Sequence, residues 1–262
     1  MTPCDAAASA FYRDALERLS QSGIPFLVGG AFALGHYTSI ERHTKDLDLF
    51  LREADVGRAL DLFRAAGYSA DLPFPHWLGK VCCGSQYVDL IFSSGNGVAI
   101  VDDGWFNHAV SAEVLGLPVR LCPPEETIWS KAFVQERERF DGADVLHLLR
   151  VRGRSLDWDR LMARFGPHWR VLFAHLVMFG FVYPGRQHHI PRWVTDTLLA
   201  RFAADRDNDE VPDTVCNGTL LSREQYVFDV NDLAYDDARV EPRGRLTPRE
   251  VSIWTAAIED EK

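Results

Sequence analysis

Two aspartates one residue apart, in Asp46-Leu47-Asp48-Leu49-Phe50, carry the clearest chemistry in this chain. Along an extended strand, side chains i and i+2 share a face. Asp46 and Asp48 therefore point the same way, while Leu47 and Leu49 can enter a core. Carboxylates at that spacing repel each other, and a divalent cation with oxygen ligands relieves the repulsion. Upstream, the apolar run Phe26-Leu27-Val28 ends in Gly29-Gly30. A glycine turn opening a helix offers unpaired backbone N–H groups to a phosphate. Together these are the equipment for phosphoryl or nucleotidyl transfer.

Two-metal transfer needs a further anion near the attacking group. Asp89 fits best, as a lone acid in the otherwise apolar stretch Tyr87-Val88-Asp89-Leu90-Ile91-Phe92, where an uncompensated charge is costly. Asp71, close before Pro73, is the weaker competitor.

The elements that must position these groups follow from periodicity. Residues 5–22 read as a helix, 25–28 as a short buried strand, 31–37 as a helix, 46–51 as a strand and 54–66 as an amphipathic helix. Strands are expected at 68–72, 76–83, 86–92, 98–101 and 117–121. After Pro123-Pro124, helices are expected at 125–140, 143–151, 158–165, 169–181 and 191–204. Strands early and helices late predict an α+β protein, a small mixed sheet with flanking helices followed by a helical domain. The expected divisions are 1–122, 123–204 and an acidic segment, 205–262, packed on the body. Tyr226, Phe228, Tyr235, Ile253 and Trp254 are its expected anchors.

The net charge of −10 is unevenly placed. Residues 205–262 hold 15 Asp/Glu against 7 Lys/Arg, so the body is close to neutral. Such a body shows no strong sign of duplex DNA binding. The apolar run 171–183 is too short for a membrane span and reads as a buried core helix. An N-terminus without a basic or long apolar region, and five cysteines without framework spacing, predict a reduced, cytoplasmic chain with no membrane partner.

Val28-Gly29-Gly30, Arg42-His43-Thr44-Lys45-Asp46-Leu47-Asp48 and Tyr87-Val88-Asp89 resemble the DNA polymerase β-like nucleotidyltransferase superfamily. The nearest branch is that of bacterial nucleotidyltransferase-family and abortive-infection-toxin-like proteins. The resemblance covers about residues 20–150. It implies a small mixed sheet, NTP as substrate, and Mg²⁺, two ions with Mn²⁺ as substitute. Asp46, Asp48 and Asp89 would be the catalytic metal ligands, with Gly29 and Gly30 at the triphosphate. Many members carry Gly-Ser where this chain has Gly29-Gly30, so a hydroxyl contact to phosphate is missing here.

Further nucleotide contacts are Thr44, Lys45 and Lys131. Thr44 shares the parity of the two acids and either touches phosphate or caps the loop. Lys45 faces away from them in a regular strand, as a phosphate contact or a charge on the sheet's other face. Lys131, with Asp141 and Asp144, matches a helix pair that reaches nucleotide in toxin-type relatives. The alternative there is a solvated face laced by i,i+3 and i,i+4 pairs. Cys82 or Cys83 with His76 suggests a thiol nucleophile, but in a strand pattern the two read as core cysteines, and the histidines lack zinc spacing. The expected activity is transfer of a nucleoside monophosphate to a small molecule, a protein or an RNA end. Its rivals are a non-catalytic nucleotide or partner binder of toxin–antitoxin type, and a phosphohydrolase.

Overall fold

Residues 46–50 form the middle strand of a seven-stranded sheet in the computed structural model, which describes residues 3–42, 44–205 and 214–260. The chain divides into two units, residues 1–123 and 124–262. His43, part of the motif quoted above, lies outside the described residues, as do residues 206–213 of the acidic segment.

The first unit runs α1 (Pro3–Ser22), β1 (Leu27–Val28), α2 (Gly30–Thr38), β2 (Asp46–Phe50), α3 (Glu53–Ala65), β3 (Ser69–Phe74), β4 (Leu78–Cys83), β5 (Gln86–Ile91), α4 (Asp103–Asn107), β6 (Val110–Val114) and β7 (Leu117–Leu121). The sheet order is β3-β4-β5-β2-β1-β7-β6. Strands β2 and β5 are parallel, as are β1 and β7, and the remaining pairs are antiparallel. This is the mixed sheet expected of an α+β protein. Leu47 and Leu49 are fully buried, with Leu27, Val28, Val88 and Leu90 beside them. Helix α3 buries Val56, Ala59, Leu60 and Phe63, the apolar stripe that its 3.6-residue period predicts.

The second unit contains α5 (Pro124–Ala132), α6 (Gly142–Arg152), α7 (Trp158–Phe165), α8 (Trp169–Val182) and α9 (Arg192–Ala204). After these come β8 (Val215–Cys216), α10 (Val227–Asn231), β9 (Asp236–Asp237) and α11 (Pro248–Asp260), with β8 and β9 paired in parallel. Its interior holds charge. Glu126, fully buried on α5, meets Arg160 at 2.5 Å and Arg164 at 3.1 Å, both on α7. Buried acids survive there because guanidinium forks satisfy their lone pairs.

Several expectations fail for local reasons. Residues 98–101 form a loop. Val98 and Ala99 donate their N–H groups to side-chain oxygens of Asn96 and Ser94, at 3.0 and 2.8 Å, in place of a strand partner. The helix expected over 125–140 ends at Ala132. A turn follows, in which Asp141 N–H donates to the Val134 carbonyl at 3.0 Å and Glu136 N–H to the Arg139 carbonyl at 2.8 Å. Helix α8 is not buried all round: Trp169, Leu172, His175, Leu176 and Phe179 face inward, while Val177 and Phe181 are exposed. Of the C-terminal aromatics, Trp254 is buried, but Tyr226, Phe228 and Tyr235 are exposed. Leu220, Ala238 and Leu246 are buried there too. The hairpin strand β6 and the short helix α4 had no distinct signal in the sequence. Among the described residues, no helix is long and apolar enough to cross a membrane.

Candidate active site

The carboxylates converge because of strand register. In the parallel β2–β5 pair, Asp48 lies opposite Asp89 and Asp46 opposite Tyr87. Neighbouring strands lie about 4.8 Å apart, so side chains on one face at matched register must meet. Asp46, Asp48 and Asp89 each offer an oxygen, and these oxygens lie within 4.8 Å of one another. All three residues are half-buried, so water screens their repulsion only in part. Asp71 is not part of this group; it is exposed on β3, opposite Lys80.

The glycine turn abuts the acids directly. Gly29 N–H donates to the Asp48 carbonyl at 2.9 Å, which extends the β1–β2 pairing to the edge of α2. Gly30 adopts φ +51°, and a Cβ built there would stand 1.6 Å from Asp48 Oδ2. No residue with a side chain fits without displacing that carboxylate. At Gly29 the constraint is packing, since a Cβ would lie 2.3 Å from Phe50 Cε2. The nine-residue helix α2 starts here, and its first-turn amides have no intrahelical acceptors. A phosphate at this end meets the positive pole of the helix.

Thr44 bonds the first acid of the strand. Its hydroxyl donates to Asp46 Oδ1 and to the Asp46 carbonyl, the latter at 3.2 Å, and so orients the first acid of the strand. Lys45 is exposed, and its carbonyl accepts from Tyr87 N–H at 3.2 Å, which locks the start of β2 to β5. Lys131 lies in the second unit. Its ammonium bonds Asp141 at 2.8 Å and Asp144 at 2.9 Å. Burial alone would lower its pKa, but the two carboxylates hold it above the ordinary lysine value. The same pairing, helped by Arg139, holds Asp141 below the ordinary carboxylate value against its burial.

Two residues next to the acids escaped sequence reasoning. Lys80 on β4 sits opposite Asp89 in the antiparallel β4–β5 register, with Nζ 3.5 Å from Asp89 Oδ1 and 4.6 Å from the Tyr87 ring centroid. A single lysine inside Leu78-Gly79-Lys80-Val81 was the available signal. Tyr12 on α1 is buried and donates its hydroxyl to Gln86 Oε1 at 3.0 Å. Burial, and then the charges of Asp46, Asp48 and Asp89, push its pKa up to about 12. Tyr12 belongs to the stripe it shares with Ala15, Leu16 and Leu19, so its periodicity marks it only as core.

The donor set suits a hard divalent cation. Three carboxylates meet, the nearby ammonium of Lys80 offsets one formal charge, and among the described residues no thiol or imidazole joins the cluster. All-oxygen donors of this kind favour Mg²⁺ or Mn²⁺ over zinc.

No family model matches this chain, and no curated protein matches it. Among solved structures it is similar to the antibiotic-resistance factor ANT(2'')-Ia, at 17% identity over 66% of this chain and 97% of that one, with a TM-score of 0.46. It is similar also to the lincosamide antibiotic adenylyltransferase LnuA, at 12% identity over 55% of this chain and 96% of that one, with a TM-score of 0.40. A third is an antigenic nucleotidyltransferase-like protein from Paracoccidioides brasiliensis, at 16% identity, 65% and 90% coverage, and a TM-score of 0.36. All three scores lie below 0.5.

Proposed function

We propose that the chain is a nucleotidyltransferase that moves a nucleoside monophosphate from an NTP to an acceptor nucleophile. The observation that carries this reading is the convergence of Asp46, Asp48 and Asp89 beside a glycine turn where a side chain at Gly30 would displace Asp48. Asp46, Asp48 and Asp89 would hold Mg²⁺, which supplies charge neutralisation at the phosphates when bound.

The chain's own residues account for the rest of the step. The N-terminal amides of α2, reached over Gly29 and Gly30, orient the triphosphate tail. Asp89 accepts the proton of the acceptor hydroxyl as its oxygen bonds to the α-phosphorus. The bond from the α-phosphorus to the bridging oxygen breaks, and pyrophosphate leaves. Lys80 keeps Asp89 in place before substrate arrives, and Thr44 does the same for Asp46. The Lys131 ammonium is engaged by Asp141 and Asp144, so a phosphate contact by Lys131 must compete with both.

The test is incubation with each α-labelled NTP, Mg²⁺ and a cell extract, with Asp46→Asn in parallel. The expected result is an acceptor labelled by the wild type and not by the variant. Equal labelling by both would refute the assignment of the acids. Release of orthophosphate without any labelled acceptor would replace transfer with hydrolysis.

A further inference from the structure

Helices α8 and α9 lie side by side, with the Phe173 and Phe202 ring centroids 6.0 Å apart. Residues four apart on a helix share a face, so Phe173, Val177 and Phe181 form one stripe along α8. Leu199 and Phe202, three apart on α9, continue it. The core is not where this stripe points. Phe181 is 87% exposed, Val177 60%, Leu199 53% and Phe202 53%. Arg201, the neighbour of Phe202 on α9, stacks over Trp169 at 5.1 Å.

We propose that this face is a two-fold interface with a second copy of the same chain. The area supports that occupant. With about 200 Å² for a full aromatic side chain and about 150 Å² for Val or Leu, the four exposed residues present roughly 450 Å² per copy. Two copies together remove about 900 Å² of apolar surface, which at the two-thirds apolar share of homodimer interfaces corresponds to about 1,400 Å² in all. That falls inside the range of stable pairs. Exposed Ala174, on the same side of α8, leaves room for close helix approach. The rim carries both signs at each end, Arg170–Asp205 at 3.1 Å and Arg192–Asp196 at 3.5 Å. A two-fold mate can therefore set arginine against aspartate, whereas a rim of one sign would repel its own copy.

The test is sedimentation velocity with light scattering from about 1 to 100 µM, under reducing conditions so that no disulfide can link copies. The wild type is expected to reach twice the mass of one chain. Phe181→Glu and, independently on the other helix, Leu199→Glu should each weaken self-association at least about tenfold with an unchanged circular dichroism spectrum. Val182→Glu, one residue along and turned off the stripe, should leave the dimer intact. A wild type that stays monomeric over the whole range overturns the proposal. So does a dimer that both stripe variants leave untouched, or one that Val182→Glu disrupts as strongly as they do.

Discussion

Gly30→Ala separates the two tasks of the glycine turn, holding backbone and leaving room for an acid. The backbone cost is small. An alanine at φ +51° costs about 1–2 kcal/mol, against the 5–15 kcal/mol that keeps a domain folded, so the variant should melt only a few degrees lower. The contact 1.6 Å from Asp48 Oδ2 is different in kind. A carboxylate is the far end of a side chain and can rotate aside cheaply, but then it no longer converges with Asp46 and Asp89. Displacement of a reacting group by about 1 Å costs on the order of a hundredfold in rate, and a lost ligand on the order of 10–100-fold in metal affinity. The assay is Mn²⁺ titration by electron paramagnetic resonance, beside a melting curve and labelled-NTP turnover. Gly29→Ala is the contrast, because its Cβ meets the Phe50 ring and Cys122 Sγ at 2.3 and 3.2 Å. It should lose several degrees of stability before it loses metal. If Gly30→Ala binds Mn²⁺ as the wild type does, the reasoning about Asp48 is wrong.

Asp89→Asn should lower Mn²⁺ affinity and transfer together while the melting temperature stays within a few degrees, read by the same titration and turnover. Lys80→Met removes a cation 3.5 Å from Asp89, so Mn²⁺ should bind about five- to tenfold tighter, an effect that fades at high salt. Lys131 is raised and Asp141 lowered by their pairing, so Lys131 stabilises below its unfolded pKa and Asp141 above its own. Their joint contribution should be full between about pH 5 and 9, vanish as pH falls through the depressed Asp141 value, and fade as pH climbs through the raised Lys131 value. Melting of Lys131→Met against wild type across pH should show that gap closing in acid. Asp237→Ala strands the buried Arg239, which it now bonds at 2.7 Å, and should cost about 3–5 kcal/mol in denaturant unfolding.

How much of this was legible depends on the distance over which each signal acts. The i, i+2 alternation of Asp46 and Asp48 is local, and the buried Leu47 and Leu49 bear it out. Asp89 stood out because a lone acid in an apolar strand needs a reason. Its partner in register was not readable: β2 and β5 are separated in the chain by α3, β3 and β4, and no local rule selects Asp48 over Asp46 as its opposite. The same distance hid Lys80 and Tyr12, which reach the acids from β4 and α1. Residues 98–101 misled because β-branched residues suit a strand, and only the side chains of Ser94 and Asn96 turn them into a loop. Residues 133–140 misled because their charged residues favour helix, while the return of Asp141 onto Lys131 ends it.

The middle strand β2 is paired with β5 along its whole length and with β1 at Leu49 and Phe50, where Gly29 N–H adds a bond to the Asp48 carbonyl. The spacing of its carboxylates is therefore set first by the weave of the backbone, with Thr44 and Lys80 holding the side chains upon it. A neighbouring leucine can be exchanged for another aliphatic residue without retuning that gauge. Lengthening Asp48 by a single methylene, to glutamate, would overrun it.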